Sequence, residues 1–274
     1  MPEGHTIHRL AARHAELFAG RRVVASSPQG RFAAGAELIS GSVLRGTEAC
    51  GKHLLHHYDR HTLHVHLGLY GGFTDGDGPA PDPVGQVRLR LTSAEHWLDL
   101  RGPAACELLD PPELQALRDR LGPDPLRDDA EPQTAYARIA RSSGPIAALL
   151  LDQSIVAGSG LVYTCEVLFR AGIPPTRAGR EIAPEEWSSL WKDLQELMRE
   201  GVKRGRIDTV HATHMPDAMG RAPRVDRHGG EVYVYRRAGQ PCLLCGAGIQ
   251  RGALAGRNSY WCPRCQPAGT AGSR

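Results

Sequence analysis

Four of the seven cysteines in this 274-residue chain form two Cys-x-x-Cys pairs, Cys242-Leu-Leu-Cys245 and Cys262-Pro-Arg-Cys265, with sixteen residues between them. Four soft thiolates on two tight turns can close a tetrahedron around one Zn2+. Four protein ligands leave no open position, so the ion is read as structural. It replaces the core that a segment of ~25 residues cannot build. Two disulfides are the competing reading, and they require an oxidising compartment. The N-terminus, Met-Pro-Glu-Gly-His-Thr-Ile-His-Arg-Leu, has polar residues where a secretory signal needs an apolar stretch, so we read zinc. Cys50, Cys106 and Cys165 are scattered and read as small buried hydrophobes.

A second chemistry sits at the start of the chain. Pro2 directly follows Met1, and a small second residue permits removal of the initiator, leaving a free secondary amine. Such an amine adds to an aldehyde or a sugar C1′ and forms an iminium ion, an electron sink for elimination. Glu3 beside it is a potential general acid/base. An ordinary processed terminus has the same letters, so this dipeptide needs support from elsewhere. Lysine is scarce: Lys52, Lys192 and Lys203 stand against 30 arginines, which draws attention to Lys52 at the head of an apolar stretch. His64 and His66 lie two apart and share one face of a strand. The spacing raises a metal pair, but no carboxylate or third histidine stands at ligand spacing.

The elements that must position these residues follow from composition and periodicity. Hydrophobic residues make up 41% and charged residues 23%, a globular composition that excludes a fibrous or largely disordered chain. No run approaches the ~20 apolar residues of a membrane helix, so the expected location is cytoplasmic. Residues 201–274 carry 12 Lys and Arg against 4 Asp and Glu, a net of +8, which leaves −5 for residues 1–200. A basic C-terminal quarter suits a polyanion.

Residues 3–19 have helical spacing closed by Gly20, and 22–109 alternate in short strands such as 63–67 and 86–91. Residues 76–83 read as a loop. Helices are expected over 112–121, 133–141, 145–152, 160–171 and 184–201, then an irregular linker over 206–232. The fold class is α+β, with an N-terminal helix and antiparallel β-sandwich, a helical domain and a C-terminal zinc-finger β-hairpin. The expected boundaries are 1–125, 126–232 and 233–267, with a disordered tail at 268–274.

Several motifs in order resemble one family. Met1-Pro2-Glu3-Gly4-His5-Thr6-Ile7 resembles the start of the formamidopyrimidine-DNA glycosylase/endonuclease VIII family. Gly51-Lys52-His53-Leu54-Leu55 resembles its lysine strand, and His66-Leu-Gly-Leu-Tyr-Gly71 its phosphate-contact turn. Leu121-Gly-Pro-Asp-Pro-Leu126 resembles its entry to the helical domain, and Leu150-Leu-Asp-Gln153 through Glu166-Val-Leu-Phe169 its helix–two-turn–helix. Tyr233-Val-Tyr-Arg-Arg and Gly256-Arg257-Asn-Ser-Tyr-Trp-Cys262 resemble its zinc hairpin. The Pro-Glu-Gly start and Asp99-Leu-Arg-Gly-Pro103, in place of an Asp-Pro-Arg-Arg-Phe segment, are closer to the endonuclease VIII branch.

The resemblance implies a bifunctional DNA glycosylase/AP lyase, a monomer acting on damaged DNA and excising oxidised bases, pyrimidines above all, with β,δ-elimination at the abasic site. It implies Pro2 as Schiff-base nucleophile, Glu3 as proton shuttle and Lys52 as a cation beside them. Arg257, His66 and Glu166 would lie at the DNA, with Leu69 and Tyr70 filling the gap left by an extruded base, against the alternative that this pair packs in the β core. Cys242, Cys245, Cys262 and Cys265 would hold the zinc. The chain departs from the pattern at Leu161, where the family usually has Asn, and at Thr164, where relatives often have Arg. Losing one such phosphate contact costs ~1–3 kcal/mol. A damaged-DNA-binding paralogue with weak or no catalysis is therefore the rival reading.

Overall fold

The computed structural model describes residues 2–226, 230–254 and 256–268. Within them the chain divides into two compact units, Met1–Arg120 and Leu121–Arg274. Most of the expected tail, residues 269–274, lies outside the described residues, as does Met1.

The first unit opens with helix α1 (Gly4–Phe18), whose Ile7, Ala11, His14, Leu17 and Phe18 recur at helical intervals and turn inward. Strand β1 (Val24–Ser26) and helix α2 (Ala33–Ile39) follow. Seven strands then run as β2 (Gly46–Cys50), β3 (His53–His57), β4 (Thr62–His66), β5 (Gly72–Asp77), β6 (Val87–Thr92), β7 (His96–Arg101) and β8 (Ala105–Leu109). They form two antiparallel four-stranded sheets, ordered β1-β6-β7-β5 and β2-β3-β4-β8. One core serves both: Leu89, Leu91, Leu98 and Leu100 from the first sheet pack with Leu54, Leu63 and Val65 from the second and with the apolar stripe of α1. Helix α3 (Pro111–Asp119) closes the unit. Asp110 accepts from the Glu113 amide and Glu113 reaches back to the Asp110 amide, a reciprocal cap.

α2 was not expected, because Ala-Ala-Gly-Ala-Glu-Leu-Ile has little apolar contrast and sits among strands. Only Ala36 and Ile39 bury, and they bury against β1.

In the first sheet, Arg90 donates in a fork to Asp99, and Arg101 adds a third bond to the same carboxylate. The Arg90–Asp99 pair is buried, so each partner would be an uncompensated charge without the other. Asp99 is the first residue of the departing segment quoted above, and here it braces β6 to β7.

The second unit contains α4 (Pro132–Ile139), α5 (Ile146–Leu151), α6 (Leu161–Arg170), α7 (Pro184–Arg204) and a short α8 (Pro216–Met219) inside the expected linker. α7 presents Trp187, Leu190, Trp191, Leu194 and Met198 on one stripe and ends at Gly205, whose φ of 70° is left-handed. α6 is buried on every side from Val162 to Phe169, with α5, α7 and the C-terminal hairpin packed on it. Strands β9 (Gln250–Leu254) and β10 (Arg257–Trp261) form the C-terminal hairpin. Among the described residues no helix is long and apolar enough to cross a membrane.

Candidate functional site

Helix α1 and the β2–β3 hairpin bring the N-terminus and Lys52 to one end of the first unit. Gly20 donates to the Leu44 carbonyl, so the chain entering β2 starts at the C-terminal end of α1. The Thr47 hydroxyl then donates to the Ala11 carbonyl, halfway along the helix. From Thr47 to Cys50 is about 10 Å of strand, and from Ala11 back to Gly4 is about 10 Å of helix. The Gly51 and Lys52 turn therefore reaches the level of the helix's first turn. Gly51 has a φ of 58°, which permits this tight reversal.

Glu3 occupies the N-cap position of α1 in extended conformation and is fully buried. Its side chain does not cap the helix; its backbone carbonyl instead accepts from the Thr6 amide. Glu3 thus stands at the positive end of the helix dipole. Pro2 is half-buried beside it.

The turn after β4 carries the two apolar candidates. Leu69 is 62% exposed and Tyr70 89% exposed, so neither packs in the β core. Two glycines shape this turn. Gly68 has a φ of 65°, and a Cβ on Gly71 would stand 2.4 Å from the Leu67 carbonyl oxygen. A tight turn with two large exposed apolar side chains suits insertion into something outside the fold.

The outer face of the second sheet carries histidines. The pairings His53 with His66 and His64 with Glu107 put all four residues on one face. His53 Nδ1 lies 2.8 Å from His64 Nε2, and His64 Nδ1 lies 2.9 Å from a Glu107 oxygen. The His66 ring stacks on His53 at 5.0 Å. Burial, helped by the neighbouring histidines, Arg120 and Lys52, lowers His53 to about 3. Burial also lowers His64 and His66, with Glu107 opposing it at His64. The sequence separations hid this arrangement: a third histidine and a carboxylate do stand by the His64 and His66 pair, brought there by strand register. His53, Glu107 and Arg120 are the residues that sequence reasoning missed. Among the described residues only the four C-terminal cysteines gather into a metal-binding set.

Those cysteines fit zinc. Their four sulfurs lie within 4.8 Å of one another. Cys242 Sγ is 3.8 Å from Cys265 Sγ, and Cys245 Sγ is 3.4 Å from Cys262 Sγ. A tetrahedron with Zn–S bonds of about 2.3 Å needs sulfurs about 3.8 Å apart. The amides of Leu244 and Cys265 point at Cys242 Sγ and Cys262 Sγ, as thiolates require. Chelation is expected to melt the β9–β10 hairpin while α4–α7 keep their helical circular dichroism. Loss of hairpin amide protection without loss of helix signal is the check; an unchanged hairpin after complete zinc release sinks the reading. Arg257 opens β10 and is exposed.

Glu166 is a correction. It is fully buried, and both oxygens are committed: one accepts from the Thr209 hydroxyl at 2.6 Å and the Tyr233 amide at 2.7 Å, the other from the Val234 and Tyr235 amides at 2.8 Å each. A carboxylate so occupied cannot face DNA. It ties residues 233–235, which form a buried turn ahead of the hairpin strands, to α6. Leu161 begins α6 half-buried against the second unit's core, and Thr164 is buried with its hydroxyl 3.2 Å from that of Ser159.

Comparisons with known proteins come to the same place. The formamidopyrimidine-DNA glycosylase N-terminal domain model matches residues 1–106, the formamidopyrimidine-DNA glycosylase H2TH domain model residues 121–212, and a zinc finger found in FPG and IleRS residues 239–268. The chain is 51% identical over 274 residues to a Mycobacterium tuberculosis (strain ATCC 25618 / H37Rv) protein named Endonuclease 8 1, covering 97% of this chain and 100% of that one. It is 35% identical over 231 residues to a Thermosynechococcus vestitus formamidopyrimidine-DNA glycosylase, covering 81% and 78%. A crystal structure of Lactococcus lactis Fpg with abasic-site DNA superposes with a TM-score of 0.79 over 97% of this chain and 100% of that one. Its 22% identity makes this a likeness of fold.

Proposed function

Since the chain belongs to the formamidopyrimidine-DNA glycosylase/endonuclease VIII family, we propose that it is a bifunctional glycosylase and AP lyase that excises oxidised bases from DNA, pyrimidines foremost, and then cuts the strand by β,δ-elimination. The observation that carries this reading is the meeting of the Pro2 and Glu3 terminus with the Lys52 turn at one end of α1. The 51% identity along the whole chain to a protein named Endonuclease 8 1 supports placing the chain in the endonuclease VIII branch.

After removal of Met1, the Pro2 amine attacks C1′ of the damaged nucleotide. The base leaves with the C1′–N bonding pair and takes up a proton, and the Pro2 nitrogen, now bonded to C1′, sheds its own. Glu3 protonates the ring oxygen, the C1′–O4′ bond opens, and the nitrogen lone pair completes an iminium at C1′. The iminium acidifies C2′. Loss of a C2′ proton gives an enamine, which expels the 3′ phosphate and restores a conjugated iminium; loss of a C4′ proton then expels the 5′ phosphate in the same way. Water then adds to the iminium carbon and frees Pro2.

Lys52 and His66 hold the phosphate beside the reacting sugar, and Arg257 offers a bidentate fork to flanking phosphates. Leu69 and Tyr70 occupy the space of the extruded base, offsetting the cost of unstacking. We assign catalysis to residues 1–125, the helix–two-turn–helix and linker to 126–232, and the zinc hairpin to 233–267. The zinc, held by Cys242, Cys245, Cys262 and Cys265, supplies a structural crosslink. We take the working protein to be a monomer on damaged DNA.

Borohydride trapping on a duplex with one abasic site tests the reading. The Met-processed protein should give a covalent adduct that disappears in Pro2→Gly. Leu161→Asn should raise the yield at limiting enzyme by about tenfold, the worth of one restored phosphate contact. Salt-sensitive binding with no adduct from the wild-type chain would make it a damage-binding protein instead.

A further inference from the structure

We propose that His53 is an additional phosphate-binding residue, set in one tautomer by Glu107 acting through His64, and that it takes up one proton from solvent when DNA binds. This rests on the reading above, in which a DNA phosphate lies against Lys52 and His66.

The tautomers follow from the chain of contacts. An ionised carboxylate only accepts hydrogen bonds, so the 2.9 Å contact with Glu107 requires a proton on His64 Nδ1. Neutral His64 then has a bare Nε2. The 2.8 Å contact to His53 Nδ1 can be made only if that nitrogen carries the proton. Neutral His53 is thereby left with a bare Nε2, the ring edge not committed to His64. A phosphate oxygen needs a donor, and a bare Nε2 is an acceptor. Protonating it yields an imidazolium that donates to the phosphate at one edge and, through His64, rests on the Glu107 carboxylate at the other.

The free protein holds this group neutral. His53 faces Cys50 across β2, His64 and His66 on β4, and Glu107 on β8 beyond His64. Lys52 precedes it, and Arg120 follows α3 close enough to repel a proton. Glu48 on β2 lies on the same face but is engaged by His57 and Arg118. The surroundings are thus cationic apart from one carboxylate reached through a relay. Burial and these cations push His53 to about 3. An incoming phosphate reverses the balance: it brings a negative charge to a ring whose neighbours Lys52, His66 and Arg120 otherwise repel a proton.

Linkage gives the measurable consequence. Uptake of one proton makes binding tighten about tenfold for each unit that pH falls between the bound-state and free-state values of His53. Affinity for a duplex carrying a tetrahydrofuran abasic analogue should be measured by fluorescence anisotropy from about pH 8 to about pH 5.5 at fixed ionic strength. The wild type should steepen by up to about tenfold per unit relative to His53→Gln. Glu107→Gln should move the tightening to lower pH, because the imidazolium loses its backing charge. Parallel curves for wild type and His53→Gln overturn the proposal.

Should His53→Gln fail to fold, calorimetry of the wild type in two buffers of different ionisation enthalpy carries the test. Proton uptake that Glu107→Gln diminishes supports the relay, and no net uptake overturns it. A wild type that neither binds nor traps abasic DNA at any pH refutes the functional reading instead. One that traps normally while the binding curves run parallel refutes only this inference.

Discussion

Glu3→Gln is expected to lower excision of an oxidised base by roughly a hundred- to ten-thousand-fold while depressing capture of a preformed abasic site far less. The asymmetry follows from where protons are needed. An abasic sugar already exposes an aldehyde in its ring-opened form, so the Pro2 amine can condense with it without breaking a glycosidic bond. An intact nucleotide must open its sugar ring under load, and that step needs an acid at the ring oxygen. Glu3 is suited to supply it. It adjoins Pro2, it is fully buried, and its side chain is not used to cap α1. Gln keeps the shape and removes the transferable proton. Single-turnover excision and borohydride trapping, run side by side, give the check. Equal losses in both assays would make Glu3 a structural residue of the α1 start and sink its acid/base role.

The sequence revealed the parts of this site that are local. Each Cys-x-x-Cys pair needs only one turn to bring two sulfurs together, so spacing carried the zinc set. α7 was legible because its apolar residues repeat at helical intervals over 21 residues. The relay on the outer sheet was not, because its members lie 11 and 43 residues apart and meet only through strand register. Glu166 misled for a related reason. The resemblance implied a place at the DNA, and nothing local foretells three backbone amides arriving from residues 233–235. The exposure of Leu69 and Tyr70 was equally undecided in the sequence. The glycines on either side decide it, since Gly68 and Gly71 force a turn too tight to bury what it carries.

Acid should unfold the first unit well before the second. His14 on α1 and His56 on β3 are buried and share a 3.0 Å hydrogen bond, and His14 also packs edge-on against Phe73. Burial lowers His14 to about 3 and holds His56 well below its ordinary range; buried His5 is lowered to about 4. In the unfolded chain all three titrate near 6.5. The folded values are lower, so below about pH 6.5 the unfolded state binds protons that the folded state refuses. Stability is therefore fully present above that pH and falls as pH drops toward the folded values. Each histidine takes away about 1.4 kcal/mol per pH unit, and His53, also lowered to about 3, adds an equal share, so the four together take about 5–6 kcal/mol per pH unit. Domains typically hold only about 5–15 kcal/mol, so a drop from about pH 6.5 to about pH 4.5 removes most of it. Urea titrations at several pH values, with hydrogen exchange read at α1 and β3, should give that slope. The double substitution His14→Leu and His56→Leu should remove up to about half of it. It should not weaken the unit at neutral pH, because the other ring nitrogens, His14 Nε2 and His56 Nδ1, are buried with no hydrogen-bond partner among the described residues. A wild-type slope matched by the double variant would mean that the acid sensitivity arises elsewhere in the chain.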